Sequence, residues 1–347
     1  MKFCIQLSAY YPDASYGGKK LYDEMLAQAV LCDRLGFESV AITEHHLINI
    51  LLMPAPLTFA VKIADATKHL KIMTAVAVLP LHDMRIFAGE LIIADLFTNG
   101  RLLLGVGRGA FEFEMTRLGT PLSSSREKFN ESLAVLQALL ANEEVSWNGK
   151  YYQFDCITVQ PRPNRPIPIM MACATSKSIY DSASRGFHIQ TTPLSGDRAQ
   201  LVELVNAFSA GREQVCNRDD IPTLSLSRVG MVTNNAADKA KKLAKAHHYY
   251  SQFDNVYTGP GLVEKGFIKP LPRKQTIQQL DSNLLVCSTS EMVDKLGLYN
   301  ELGIERFILN PNYGAGQTAQ LETIQQFAED VMPHFPAEKA SKEVAYS

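Results

Sequence analysis

Residues 35–46 read Leu35-Gly36-Phe37-Glu38-Ser39-Val40-Ala41-Ile42-Thr43-Glu44-His45-His46. An amphipathic helical pattern stops at Leu35, a glycine follows, and a short, nearly all-apolar strand comes next. Glycine just past a helix end can take the left-handed conformation that closes the helix. A strand apolar throughout is expected where both of its faces are covered. The same unit returns at Arg185-Gly186-Phe187 before His188-Ile189-Gln190-Thr191, and at Leu302-Gly303-Ile304 before Arg306-Phe307-Ile308-Leu309. The chain repeats one helix–glycine–strand unit.

Outward from this unit, strands are expected near 3–8, 38–43, 71–79, 101–106, 167–173, 187–191, 223–232 and 305–310. Helices are expected near 19–35, 56–69, 84–98, 125–141, 176–185, 197–216, 236–252 and 317–332. Eight alternations predict an α/β fold with a parallel sheet and crossover helices. A closed (β/α)8 TIM barrel is favoured over an open sheet, because no dinucleotide-type βαβ fingerprint opens the chain. Two segments interrupt the alternation. Residues 145–166 carry Asn148-Gly149 and predict a β-hairpin excursion. Residues 253–289 form an insertion too long for an ordinary loop and rich in apolar residues, expected as a mobile active-site lid. Residues 1–335 are therefore one domain, and 336–347 a flexible polar C-terminal tail.

Composition narrows the function. The 347 residues are 46% hydrophobic and 20% charged, with a formal net charge of -2, as in soluble globular proteins. No basic patch points to nucleic acid or an anionic membrane. The apolar run 47–61 is interrupted by Asn49, Pro54 and Pro56 and is too short to span a bilayer; the N-terminus has no signal-peptide pattern. The six cysteines include no CxxC pair and read as buried free thiols in a reducing compartment. A cytoplasmic location is expected.

Chemistry gathers at predicted C-terminal strand ends, the active-site rim of a barrel. Thr43-Glu44-His45-His46 ends the second strand. An imidazole there can accept or donate a proton near neutral pH, with Glu44 orienting it; filling a polar pocket is the plainer role for either histidine. No third ligand follows at a metal-site spacing, so no metal is expected. Asn99 to Gly109 (NGRLLLGVGRG) is an apolar strand ending in alternating glycines around Arg108. Glycines admit a ligand close to the backbone, and a guanidinium suits phosphate. The following Ala110-Phe111-Glu112-Phe113-Glu114 opens no clear helix. Ser123-Ser124-Ser125-Arg126-Glu127 predicts a helix start with hydroxyl caps, where Arg126 opposes the dipole unless an anion is near. Ala174-Thr175-Ser176-Lys177-Ser178 predicts a helix N-terminus able to hold an anion or simply capped. Tyr10, Tyr11, His82, Phe111 and Phe113 are aromatic candidates for a substrate pocket, or for core.

Together these segments resemble the bacterial luciferase-like flavin monooxygenase family, within it the luciferase alpha-subunit type. The likeness runs from Met1-Lys2-Phe3 to Val331-Met332-Pro333. It rests on Thr43 to His46, Ala75 to Pro80 (AVAVLP), Asn99 to Gly109, and Leu118-Gly119-Thr120 with Ser125-Arg126. The resemblance implies a two-component, FMNH2-dependent monooxygenase that activates O2 as a flavin C4a-peroxide. A separate flavin reductase would supply reduced FMN by diffusion, and a small aldehyde, ketone or heterocycle would be oxygenated. It makes His45 the catalytic histidine with Glu44 beside it. Arg108 and Arg126 become phosphate arginines, and Thr175 and Ser176 part of the phosphate turn. Ala75–Val76 becomes a cis non-prolyl peptide beside the isoalloxazine. Tyr10, His46, His82 and Phe111 are expected to line the substrate pocket. Cys173 stands where the luciferase type has Glu, which can shift the phosphate alignment by one residue. Helices 56–67 and 84–97 carry more apolar residues than one core stripe needs and predict a homodimer interface. An F420-dependent hydride-transfer oxidoreductase and a non-catalytic flavin-binding protein are the alternatives.

Overall fold

The computed structural model describes residues 1–215 and 221–336. Most of the expected tail, and Cys216, lie outside the described residues. Eight strands build the barrel: β1 (Lys2–Leu7), β2 (Ser39–Ile42), β3 (Lys71–Thr74), β4 (Leu102–Gly107), β5 (Ile169–Ala172), β6 (His188–Thr191), β7 (Leu224–Val232) and β8 (Arg306–Asn310). Each pairs in parallel with the next, and β8 closes on β1. This is a closed (β/α)8 barrel.

Around it lie α1 (Gly18–Leu35), α2 (Pro56–Ala66), α3 (Met84–Phe97), α4 (Glu112–Arg117), α5 (Leu122–Ala141), α6 (Ser176–Ala183), α7 (Arg198–Arg212), α8 (Ala236–Tyr257), α9 (Ile277–Asn283), α10 (Thr289–Glu301) and α11 (Gln317–Gln326). Gly36, Gly186 and Gly303 have φ of 80°, 86° and 82°, so all three repeat glycines take the left-handed conformation. Residues 145–148 and 153–157 pair antiparallel as the expected hairpin.

Alternation along each strand separates two layers. Phe3, Ile5, Leu7, Leu102, Leu104, Val106, Ile189, Leu224 and Leu226 pack outward against the helices. Cys4, Ala41, Met73, Met170 and Ile308 cluster inside the barrel, with Ala75 and Leu103 against them. At the base, Arg306 makes two 3.0 Å bonds to the carboxylate of Glu38 and a third to Ser225. Burial opposes charge on Glu38. The Arg306 guanidinium outweighs it and holds the carboxyl down at about 2.

Three expectations need correcting. The strand expected over 71–79 ends at Thr74; the Ala75–Val76 bond is cis, and Ala77–Val78 then pair with Val106 and Gly107. At the break β3 lies tightly against β4, where a Cβ on Gly105 would lie 2.0 Å from the Thr74 carbonyl oxygen. Secondly, the expected helices omitted α10, although the glycine at 303 implied one before it. It is α10, not the expected helix 236–252, that directly precedes β8. Thirdly, residues 253–289 are not a loop. Helix α8 continues to Tyr257, a hairpin joins Val263–Glu264 to Phe267–Ile268, α9 follows, and Leu285–Cys287 pairs with the end of β7. Their apolar residues drive this order. Phe253, Val256, Ile268, Leu280 and Val286 bury with Ile48, Phe111, Met231, Tyr249 and Tyr250 in a second core.

Candidate active site

His45 follows β2 and is pinned by two backbone bonds to Met53. Its Nδ1 lies 2.7 Å from Glu114 Oε2, and its ring stacks on Phe111 at 4.4 Å between centroids. The other Glu114 oxygen accepts the His46 backbone N–H. Glu114 is 4% exposed and the His45 side chain 17%. A buried carboxylate on Nδ1 sets that nitrogen as the donor and leaves Nε2 to accept. No hydrogen bond engages Nε2 among the described residues.

Glu114 was missed in the sequence, where 110–114 gave no helix. The structure forms α4 there, with Glu112 and Glu114 in its first turn, matched to the helix dipole. The available signal was spacing: Phe111, Glu114 and Met115 share one helical face.

Glu44 does not orient His45. Its Oε1 lies 2.8 Å from His82 Nε2 and 3.0 Å from His46 Nε2, and its Oε2 accepts the Val78 backbone N–H at 2.7 Å. Burial opposes the charge on Glu44, but the bonds from His46 and His82 prevail and hold it at about 2. The His46 imidazole is correspondingly raised by its bond to Glu44, against burial. Glu44 thus ties the end of β2 to the segment after the cis bond.

Arg108 directly follows β4 and donates to Ser125 Oγ at 3.2 Å. Burial, then the like charge of Arg126, pushes its guanidinium below the usual range. Arg126 in turn acts on Cys173, whose thiol burial pushes up. The two arginines and the turn after β5 therefore share one neighbourhood, and neither guanidinium pairs with an acid among the described residues. The local details differ from expectation. Pro121, not a serine, precedes α5, and Ser124 and Ser125 bond back to carbonyls. Thr175 caps α6 in a reciprocal capping box with Ser178, while Ser176 Oγ donates to Glu203 at 2.6 Å. The glycines of 105–109 admit the neighbouring segment rather than a ligand: a Cβ on Gly107 would meet Val76 at 2.6 Å, and one on Gly109 would meet Met115 at 2.3 Å.

The aromatic candidates separate. Phe111 is buried beneath His45 and meets Phe253 and Tyr257 edge-on at 5.4 and 6.2 Å. Tyr10 donates to Gln252 Oε1 at 3.0 Å, Tyr11 stacks on Phe267, and His82 packs on Phe87. Phe113 lies under the Arg117 guanidinium, 3.8 Å from its ring centre. Inward-pointing Ala75 and Leu103 stay half-buried and Ala172 exposed, so solvent enters the barrel above them.

The family model for luciferase-like monooxygenases matches residues 1–306. The chain belongs to the luciferase-like monooxygenase family. It is an oxidoreductase enzyme of the flavin-dependent monooxygenase kind. The oxygenase component of the flavin-dependent trigonelline monooxygenase of Acinetobacter baylyi is 25% identical over 93% of this chain and 92% of its own. The F420-dependent glucose-6-phosphate dehydrogenase of Beutenbergia cavernae is 24% identical over 90% of this chain and 94% of its own. Among solved structures, monooxygenase RslO1 from Streptomyces bottropensis superposes with a TM-score of 0.83 at 22% identity, covering 97% of this chain and 100% of that one. The oxygenating constituent of 3,6-diketocamphane monooxygenase from Pseudomonas putida, in complex with FMN, superposes with a TM-score of 0.77 at 16% identity, covering 98% and 100%.

The donor set of this luciferase-like chain fits a flavin phosphate. Two guanidiniums without acid partners among the described residues adjoin a helix N-terminus, the arrangement that receives a dianion.

Proposed function

We propose that the chain is the oxygenase of a two-component system that takes FMNH2 from a separate flavin reductase and oxygenates a small organic molecule. The observation that carries this reading is the His45–Glu114 pair, with Nε2 free, on the same rim as two unpaired arginines. Arg108, Arg126 and the turn at Thr175–Ser176 would hold the FMN phosphate. The cis segment Ala75–Val76, braced through Val78 by Glu44, would back the ring. Reduced flavin, when bound, supplies the electrons that activate O2. His45 holds or moves a proton at Nε2, fixed in tautomer by Glu114 and in plane by Phe111. The second core over the mouth excludes water, and it is the candidate for the closing element. Tyr10, His46, His82 and Phe111 remain the residues we assign to the pocket wall, with an aldehyde, ketone or heterocycle as substrate class.

The dimer expectation draws support from α3, where Ile86, Ile93 and Phe97 are exposed at helical spacing. A monomer by light scattering at micromolar concentration would remove it. Against the expectation that the cysteines are buried, Cys156 is exposed on the hairpin, while Cys4, Cys32, Cys173 and Cys287 are buried free thiols; unpaired thiols support a cytoplasmic setting, and no helix among the described residues is long and apolar enough to cross a membrane. The deciding experiment is a reductase-coupled oxidation screen with FMN, comparing wild type with His45→Ala. Product formation should collapse in the variant while FMN binding survives; unchanged coupling of O2 use to product overturns the role. The F420-dependent relative motivates one control: anaerobic turnover with F420 would replace this reading with hydride transfer.

A further inference from the structure

Inside the barrel, above the layer of Cys4, Ala41, Met73, Met170 and Ile308, the wall on the β1, β6 and β7 side turns polar. Gln6, Gln190 and Ser227 all point inward, since their strand neighbours Ile5, Ile189 and Leu226 belong to the outer core. Gln6 and Ser227 satisfy each other: Ser227 Oγ donates to Gln6 Oε1 at 3.1 Å, and Gln6 Nε2 donates to Ser8 Oγ at 3.2 Å. Gln190 does not share in this. Its side-chain oxygen is buried without a partner, and no hydrogen bond reaches its carboxamide from the described residues. The residue is only 9% exposed. An unpaired buried amide is costly, so natural folds seldom keep one without a use.

Its neighbours indicate the use. In register, Gln190 lies beside Ala172 of β5, whose exposed methyl leaves open space next to the amide. The same strand β5 runs on into Cys173 and the Thr175–Ser176 turn assigned to the flavin phosphate. A carboxamide offers one acceptor and two donors in a plane. That matches the pyrimidine edge of an isoalloxazine, where one N–H sits between two carbonyls.

We propose that Gln190 is a flavin-binding residue that pairs with this edge, its oxygen accepting from flavin N3–H and its amide donating to a flanking carbonyl. The inference rests on the flavin reading above and adds a contact to it. A neutral two-point pair corresponds to roughly a tenfold change in affinity.

The test titrates ligand-free protein with oxidised FMN and with N3-methyl FMN, following flavin fluorescence, for wild type and Gln190→Leu. Wild type should bind FMN about tenfold more tightly than the methylated form, and Gln190→Leu should bind both alike, near the weaker value. The ligand-free variant should melt at or above the wild-type temperature, because an orphaned polar group has been removed. Gln190→Ala replaces it if the leucine variant does not fold. Unchanged FMN affinity in the variant, or equal discrimination by both proteins, overturns the Gln190 assignment and leaves the flavin reading intact. Wild type that binds no FMN sinks both.

Discussion

The two ends of the barrel treat positive charge in opposite ways. At the base, Glu38 and Arg306 meet in a two-point ion pair completed by Ser225. At the mouth, half-buried Arg108 is pushed below its usual range by burial and then by Arg126, and neither arginine pairs with an acid among the described residues. Closed pairs have no capacity left for a ligand, so the base serves stability. Like charge side by side favours an approaching anion, which is why we assign the phosphate to the mouth. The active-site rim of such barrels lies at that end.

This contrast breaks most visibly at the base. Arg306→Met should strand the Glu38 carboxylate and lower stability by about 3–5 kcal/mol, read from chemical denaturation, with FMN affinity per folded molecule unchanged. The double variant Glu38→Gln with Arg306→Met should recover most of that loss; no recovery would mean the two do not act as a pair. At the mouth the pattern should invert. Arg108→Ala or Arg126→Ala should weaken FMN by roughly ten- to a hundredfold, taking about 1.5–3 kcal/mol for each charged hydrogen bond. Riboflavin, which lacks the phosphate, should be indifferent to either change. A parallel loss for riboflavin would place the arginines elsewhere on the ligand.

Glu114→Gln sharpens the same contrast within the rim, since Glu114 positions His45 without meeting the phosphate. Turnover should fall about ten- to a hundredfold and its pH profile should shift, with FMN affinity constant. Equal losses in binding and turnover would make Glu114 merely structural. The gentlest effect is on acid stability. Glu38 and Glu44 fall from an ordinary 4.5 to about 2 on folding. Their contribution is present above pH 4.5 and is lost as pH falls towards 2. Glu44→Gln should flatten the melting-temperature curve in that window and, because it also removes the partner that raises His46, weaken the loss of stability as pH climbs above 6.5.

The barrel was legible because its signal is local. A glycine at 36, 186 and 303 and an apolar strand after each report on backbone conformation and two-sided burial one unit at a time. His45, Arg108 and Arg126 were legible as rim candidates for a related reason, lying at strand ends or in the segments that follow. Glu114, and Gln190 in the role we propose, were not. Each looks ordinary in sequence, one in a run that reads as loop and the other inside a strand, and only long-range packing gives them meaning. The insertion after β7 was visible as an interruption, but its helices and hairpin depend on a second core assembled from distant segments.

Local periodicity and glycine placement thus determined the fold class, the strand order and which residues stand on the rim. Tertiary structure alone decided which carboxylate serves which imidazole, that Glu44 holds His46 and His82 while Glu114 holds His45. The reason is that partner choice between buried charges depends on three-dimensional proximity of a few ångströms, which nearness in sequence does not encode.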